Sequence, residues 1–252
     1  MDVQILKDKN ELGRIAAKLG AEKIRAAIAA NGRANVILAT GASQFEMLAA
    51  LLLEKDIDWN VVSFFHLDEY VGMPVTHPAS FRKYLWERFI AKLPVPPAAF
   101  YPVNGTAKDL PAELMRLEKI ITENPIDVAF VGIGENGHLA FNDPPADFET
   151  ERAYLVIDLD ERCRRQQVGE GWFPTVEDVP ERAISMTVRQ ILKCRSIVSV
   201  VPHAVKADAV HRALMEPVNP KTPATALKTH YHWTLYLDAE SAASFANLDG
   251  SL

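Results

Sequence analysis

Short apolar runs alternate with amphipathic segments along most of this chain. Residues 11–31 place apolar side chains at helical spacing and end at Asn31-Gly32, a pair that commonly terminates a helix. The same reasoning predicts helices at 43–55, 111–124 and 203–215, and a short helix near the C-terminus. Runs short enough for buried strands are ANVILAT (34–40), VVSFFHLD (61–68), IDVAFVGIG (126–134), AYLVIDL (153–159), SIVSVV (196–201) and HWTLYLD (232–238).

The apolar residues of the predicted strands form continuous runs and do not alternate with polar ones, which is typical of strands buried on both faces. Because helices separate them, they predict an α/β fold of Rossmann-like type, a mainly parallel sheet with helices on both faces. We expect a single domain over residues 1–252, with the proline-rich stretches 94–102 and 217–223 as surface connections within it.

Composition narrows the classes of function. With 252 residues, 48% of them hydrophobic, the chain is long enough to bury a sizeable core. The net charge of -6 argues against a nucleic-acid partner. There is no run of 18 apolar residues and no leader-like N-terminus, so we expect a cytoplasmic protein with no membrane partner. Two cysteines are too few for a disulfide framework, and the sequence is compatible with a homo-oligomer.

The segment FVGIGENGHLAFNDPP, residues 130–145, ends an apolar run in glycines and then brings His138 and Asp143 close together in sequence. Its Gly-x-Gly-x-x-Gly spacing, beginning at Gly132, also matches a dinucleotide-binding turn. Such a turn must open a helix, yet Pro144-Pro145 follows shortly, and proline inside a helix costs about 3 kcal/mol. We therefore favour an acid-base site over a cofactor site.

In open α/β sheets, ligands bind beyond the carboxyl ends of the strands, so the residues after each apolar run should converge. Those residues are Thr40, Gly41, Ala42 and Ser43; Asp68 and Glu69; Asn136, His138 and Asp143; and His203 and Lys206. Hydroxyls and free amides at a helix start, together with a lysine, suit an anion such as phosphate. The carboxylates and the histidine suit proton transfer.

Each of these residues also has an ordinary structural explanation. On its own, Ser43 would be a helix cap and His138 a hydrogen-bonded core side chain. A metal bound by His66, Asp68, His138 and Asp143 is a further alternative, although these four residues form no HxH or HExxH motif. We favour a metal-free catalytic site because the polar groups all fall at one edge of the predicted sheet.

Five segments resemble the glucosamine-6-phosphate deaminase (isomerase) family, in order along nearly the whole chain. They are LDEYVGMP (67–74), HPASFRKYL (77–85), GIGENGHLAFNDP (132–144), PHAVKADAV (202–210) and PATAL (223–227). The resemblance implies the glucosamine-6-phosphate isomerase-like form of the α/β fold. It also implies conversion of D-glucosamine 6-phosphate to D-fructose 6-phosphate and ammonia, a reaction that requires no metal or organic cofactor.

The resemblance also implies roles for individual residues. Asp68 matches the family's proton acceptor for enolisation, and Asn136, His138 and Asp143 match its ring-opening group. The family's sugar-phosphate site corresponds to Thr40, Gly41, Ala42, Ser43 and Lys206. Histidine, with an ordinary pKa of about 6.5, can move the proton that ring opening requires. Free aspartate, with a pKa of about 3.9, is a poor base, so we expect burial or Glu69 to raise the pKa of Asp68.

The chain departs from the family pattern at three positions. Some members carry an aspartate in place of Asn136 and a glutamate in place of Asp143, so the acid beside the histidine is shorter here. An arginine that binds phosphate in some relatives is matched by Gln167, with Arg164-Arg165 close by in sequence. These departures put the phosphate contacts and the exact substrate in question.

Four other functions stay open on the sequence alone. A 6-phosphogluconolactonase shares a similar glycine-histidine segment, although the LDEY and AFND strings favour the deaminase. A galactosamine-6-phosphate deaminase would differ from the glucosamine enzyme only in the configuration of one substrate hydroxyl group that it recognises. A non-catalytic sugar-phosphate-sensing domain of a transcription regulator would need a DNA-binding module, which the roughly ten residues before the first helix cannot form. The departures above also allow an isomerase adapted to another task.

Overall fold

The computed structural model describes residues 1–246, and its elements follow the apolar pattern. The strands are β1 (Asp2–Leu6), β2 (Ala34–Leu38), β3 (Val62–His66), β4 (Asp68–Tyr70), β5 (Ala99–Tyr101), β6 (Val128–Val131), β7 (Tyr154–Asp158), β8 (Arg182–Met186), β9 (Ser196–Val201) and β10 (Trp233–Asp238). The helices are α1 (Lys9–Asn31), α2 (Phe45–Leu51), α3 (Phe81–Arg88), α4 (Leu110–Glu123), α5 (Glu161–Gly169), α6 (Val188–Ile191), α7 (Ala207–Met215) and α8 (Ala243–Ala246). None of the helices among these residues has the length and apolar character needed to cross a membrane.

Seven strands form one parallel sheet in the order β1-β10-β9-β6-β2-β3-β5. Successive side chains of a strand enter opposite apolar layers, so Ile37 packs with α4, α6 and α7 while Val36 packs with α1, α2 and α3. Burying one such aliphatic or aromatic side chain contributes about 1.5–3 kcal/mol. The predicted fold class, a mainly parallel sheet with helices on both faces, is confirmed.

Helix α1 shows how local signals position a covering helix. The Asp8 side chain accepts hydrogen bonds from the backbone N–H groups of Asn10 and Glu11, and Gly32 ends the helix with a φ of 70°. Gly20 lies against the Phe130 ring of β6, where a β-carbon would come within 2.2 Å of the ring. The glycine therefore lets the helix approach the sheet closely.

A second sheet of three antiparallel strands, in the order β4-β8-β7, has no counterpart in the predicted fold. The run AYLVIDL forms β7 of this small sheet and not a strand of the parallel sheet. The run VVSFFHLD is broken at Leu67, because β3 ends at His66 and Asp68 begins β4. The break turns the chain from one sheet to the other and places Asp68 at their junction.

Several other elements differ from the sequence prediction. The stretch 94–102 is not only a surface connection, since it contains β5, an edge strand of the parallel sheet. Helix α2 is shorter than the predicted helix at 43–55 and follows a 3-10 turn, Ala42–Gln44. The elements β1, α3, α5, α6 and β8 were absent from the prediction. Helix α5, with the sequence ERCRRQQVG, has too few apolar residues to show a helical period.

Candidate active site

An open pocket lies at the carboxyl edge of the parallel sheet, beyond β2, β3, β6 and β9. Six of the nine residues predicted to be catalytic or substrate-binding line it: Thr40, Gly41, Ser43, Asp68, His138 and Lys206. Three others, Ala42, Asn136 and Asp143, are not among the described residues that line the pocket. Ala42 begins the 3-10 turn next to it, and Asn136 and Asp143 contact His138 from behind.

Asp68 faces the pocket from the junction of the two sheets. The residue is 5% exposed, and its Oδ1 has no hydrogen-bond partner within the described part of the chain. Burial and, to a smaller extent, the charge of Glu69 raise the pKa of Asp68 to about 8. A carboxyl group with this pKa is a much better base near neutral pH than an ordinary aspartate.

Glu69 is buried next to Asp68 and is held by α3. Its Oε2 accepts hydrogen bonds from Ser80 Oγ at 2.8 Å and from the backbone N–H of Arg82 at 2.9 Å, and Arg82 Nε lies 3.2 Å away. Burial raises the pKa of Glu69, although these donors act in the opposite direction. Glu69 therefore fixes the start of α3 against β4 and keeps a carboxyl group beside Asp68.

His138, Asp143 and Asn136 form a connected group on the loop after β6. Nδ1 of His138 lies 3.1 Å from Oδ1 of Asp143, so the shorter acid does reach the imidazole. Asn136 donates from Nδ2 to the same oxygen at 2.9 Å, and its Oδ1 accepts from the backbone N–H of His138 at 3.0 Å. The backbone N–H of Asp160 donates to the other oxygen of Asp143 at 3.1 Å.

The electrostatics of this group favour an ionised Asp143. Burial by itself would raise the pKa of Asp143, but the contact with His138 and the donors Asn136 and Asp160 together hold it below the ordinary value. The carboxylate of Asp143 lies beside Nδ1 of His138, and Nε2 lies on the other side of the ring, where an imidazole can accept or donate a proton. Nε2 lies against Gly134, where a β-carbon would come within 2.2 Å of it.

Lys206 and the loop Thr40–Ser43 form another part of the pocket wall. Lys206 is 5% exposed, and burial lowers its pKa even though Glu170 and Glu135 act to raise it. Gly41 has a φ of 94°, and its carbonyl accepts a hydrogen bond from Tyr84 Oη at 2.9 Å. A buried lysine beside the hydroxyl groups of this loop suits an anionic ligand.

Helix α5 and the residue that follows it supply three pocket residues: Gln166, Gln167 and Glu170. The family resemblance points to Gln167, whereas the sequence does not reveal the other two. Gln167 accepts a hydrogen bond from Tyr70 Oη at 2.7 Å through Oε1. This bond fixes the side chain at the pocket wall. Polar helix residues give no periodic signal, so only the three-dimensional arrangement shows which of them face the site.

The two arginines near Gln167 in sequence do not replace the family's phosphate-binding arginine. Arg164 donates to the carbonyl oxygen of Val176, and Arg165 pairs with Glu161 on the surface. Neither arginine is among the described residues that line the pocket. The neutral side chain of Gln167 is therefore not compensated by either of them.

The dinucleotide-binding turn and the metal site of His66, Asp68, His138 and Asp143 both fit this structure poorly. The element that follows β6 is β7, and residues 132–153, all of them described, include no helix whose N-terminus could face a pyrophosphate. The four residues considered as metal ligands do not come together. Among the described residues, His138 and Asp143 cluster with Cys163 and not with His66 or Asp68.

The fold and the pocket define a class: α/β proteins with an acid-base site at the carboxyl edge of a parallel sheet. The family described as glucosamine-6-phosphate isomerases/6-phosphogluconolactonase matches residues 7–236 of this chain. This match covers most of the chain. The protein belongs to this family of enzymes.

Individual relatives are similar over nearly their whole length. The chain is 32% identical over 241 residues to the glucosamine-6-phosphate deaminase of Streptococcus pneumoniae serotype 4, spanning 95% of this chain and 98% of that protein. The corresponding protein of Streptococcus uberis is 32% identical over 243 residues, spanning 96% and 99%. A solved structure of a monomeric glucosamine-6-phosphate deaminase is 29% identical, with a TM-score of 0.89 over 97% of this chain and 100% of that one. The 6-phosphogluconolactonase of Thermotoga maritima, 16% identical with a TM-score of 0.76 over 94% and 98%, shares the fold.

Proposed function

We propose that this enzyme isomerises and deaminates an amino-sugar 6-phosphate, converting D-glucosamine 6-phosphate to D-fructose 6-phosphate and ammonia. The observation that carries the proposal is one pocket that contains both a buried carboxyl group at Asp68 and the imidazole of His138. The relatives named as glucosamine-6-phosphate deaminases support the same reaction. Hydrolysis of a lactone removes no proton from carbon, so it would give Asp68 no comparable role.

His138 opens the sugar ring. Its Nε2 takes the proton of the anomeric hydroxyl group and returns a proton to the ring oxygen, which breaks the C1–O5 bond and leaves an aldehyde at C1. Asp143 stabilises the imidazolium that forms between the two transfers, and Asn136 holds both Asp143 and the backbone of His138. Asp143 and Asn136 therefore act through the histidine as positioning residues.

Asp68 then removes the C2 proton of the open-chain sugar. The aldehyde acidifies this proton, the electron pair of the C2–H bond forms the C1=C2 double bond, and O1 takes a proton from water to give the enol. Burial and the charge of Glu69 give Asp68 a pKa of about 8, so its carboxylate is basic enough to compete for the proton. The same carboxyl group then returns the proton to C1.

The nitrogen leaves as ammonia after the proton reaches C1. Protonation at C1 converts the enolamine to an imine at C2, water adds to that carbon, and the C2–N bond breaks to leave the ketone. Every proton in this sequence moves between the substrate, the side chains and water, so we assign no step to a metal or organic cofactor. The substrate phosphate contacts the residues Thr40, Gly41, Ala42, Ser43 and Lys206.

Replacing Gly134 with alanine is expected to displace the imidazole of His138. The new β-carbon would lie 2.2 Å from Nε2 and 2.3 Å from Cε1, so the ring has to leave its position beside Asp143. We expect kcat for ammonia release to fall about 10- to 100-fold, because ring opening depends on that position. Gly169→Ala is the matched control, since nothing lies within 4 Å of its β-carbon position. Equal activity of the two variants would contradict the assigned position of the ring.

The proposed reaction is tested by measuring ammonia release from D-glucosamine 6-phosphate and from D-galactosamine 6-phosphate. Hydrolysis of 6-phosphogluconolactone is measured in parallel on the same preparation. We expect release of one ammonia for each fructose 6-phosphate formed, with lactone hydrolysis at background. Lactone hydrolysis without ammonia release would contradict the proposal, and release from the galacto sugar alone would reassign the substrate.

A further inference from the structure

Glu170 places a carboxylate at the end of the pocket that we assign to the substrate phosphate. The residue lines the pocket together with Lys206 and the loop that contains Gly41. The position of a β-carbon on Gly41 would lie 3.8 Å from Oε2 of Glu170. An acidic side chain at this position opposes a dianionic ligand.

The carboxylate of Glu170 is held in this orientation from two sides. Oε1 accepts a hydrogen bond from Gln166 Nε2 at 2.8 Å, and Oε2 accepts one from Trp172 Nε1 at 3.1 Å. The indole of Trp172 packs on Tyr84, whose hydroxyl group donates to the Gly41 carbonyl at 2.9 Å. The orientation of Glu170 is therefore tied to the loop itself.

The charges at this end of the pocket nearly cancel. Lys206 is the one cation among the described residues that line it, and the field of Glu170 acts on that lysine. Gln167 of α5 is neutral, and the side chains of Arg164 and Arg165 make their contacts outside the pocket. One lysine opposed by one carboxylate is a weak electrostatic match for a phosphate with two negative charges.

We propose that Glu170 is a specificity-determining residue that weakens the binding of a dianionic phosphate, so that the enzyme discriminates only moderately between an amino-sugar 6-phosphate and the same sugar with a free 6-hydroxyl group. The carboxylate repels the phosphate, whereas it can accept a hydrogen bond from a hydroxyl group. This inference rests on the proposed function for the identity of the phosphate end. Its first consequence, which does not depend on the reaction, is that the charge of Glu170 weakens the binding of an anion in the pocket.

The test compares wild type with Glu170→Gln, which removes the charge and keeps the shape. We expect KM for glucosamine 6-phosphate and the Kd of inorganic phosphate, measured by calorimetry, each to fall about tenfold. The KM for glucosamine should stay within about twofold of wild type or rise. Lys206→Gln should shift phosphate binding in the opposite direction. Glu161→Gln is the matched control, because it removes the same charge from the surface end of α5.

The outcomes separate this inference from the proposed function. Unchanged phosphate Kd and KM in Glu170→Gln, in a protein that still releases ammonia, would overturn the role of Glu170 alone. Tighter phosphate binding by Glu170→Gln, in a protein that releases no ammonia from any sugar, would support the role of Glu170 and reject the deaminase. Glu170→Ala serves as a second variant if the glutamine disturbs the bond to Gln166 or Trp172. An equal shift in Glu161→Gln would show a general charge effect and also overturn the proposal.

Discussion

Replacing Asp68 with asparagine is expected to lower kcat for ammonia release at least about a thousandfold and to stabilise the folded protein at the same time. The activity falls because an amide cannot accept the C2 proton. The stability rises because the wild-type carboxyl group is buried, with an Oδ1 that has no partner in the described chain. A catalytic base held in such a site lowers the stability of the folded protein.

The pH dependence of this stabilisation has a defined sign. Because burial raises the pKa of Asp68 to about 8, the unfolded chain loses this proton between about pH 4 and pH 8 while the native protein keeps it. Stability of the wild type therefore decreases across this window, and Asp68→Asn removes that decrease. We expect a gain of about 2 kcal/mol or more at pH 8 and little difference below about pH 4.

Urea unfolding at pH 5 and pH 8 measures the stability, and initial rates measure the activity. Asp158→Asn is the matched control, since Asp158 is exposed on β7. The wild-type kcat/KM should also rise with pH up to about 8 as Asp68 ionises in the free enzyme. An asparagine variant that keeps wild-type activity would remove Asp68 from the mechanism, and one that is equally destabilised at both pH values would contradict the raised pKa.

The second large effect is expected for His138→Gln, which should lower kcat/KM about 100- to 10,000-fold. Glutamine cannot exchange a proton near neutral pH, so ring opening has to proceed without a catalyst. Asp143→Asn should lower kcat/KM by a smaller factor, because the amide still contacts the imidazole but no longer stabilises its charged form. The double variant should have the same kcat/KM as His138→Gln alone, since Asp143 acts through the imidazole ring of His138.

His232→Gln is the control for this series, because His232 is exposed and distant in sequence from the pocket loops. The double variant could instead show a loss of kcat/KM equal to the product of the losses in His138→Gln and Asp143→Asn. That result would contradict the arrangement in which Asp143 positions His138. A wild-type rate in His138→Gln would mean that the enzyme binds the open-chain sugar directly.

The fold follows from the sequence where a single local rule applies. The apolar face and the terminal glycine of helix α1 were predicted from the sequence, and the structure confirms both, while its N-cap Asp8 lies just before the predicted start. The strands β2, β6 and β9 are mostly apolar and lie together in the parallel sheet. The small sheet was missed because Leu67 continues the apolar run of β3, so nothing in the pattern marks the turn before Asp68.

Part of the site could likewise be predicted from the sequence, and part of it could not. The rule that ligands bind beyond the carboxyl ends of parallel strands places Asp68, His138 and Lys206 in one region, and all three line the pocket. The family resemblance pointed to Gln167 of α5, but Gln166 and Glu170 could not be predicted, because the polar residues of α5 show no periodicity and Glu170 resembles any surface acid. Arg164 and Arg165 are close to Gln167 in sequence, which suggested them as replacements for the phosphate-binding arginine. They do not line the pocket, because neighbouring residues of a helix lie on different faces.

The most direct test of the account follows the C2 hydrogen of glucosamine 6-phosphate by proton NMR in D₂O. The wild type should remove the C2–H signal at the rate at which ammonia appears, and Asp68→Asn should leave that signal in place over the same time. Loss of the signal at the wild-type rate in Asp68→Asn, or ammonia release from the wild type with the C2–H bond intact, would contradict proton abstraction by Asp68.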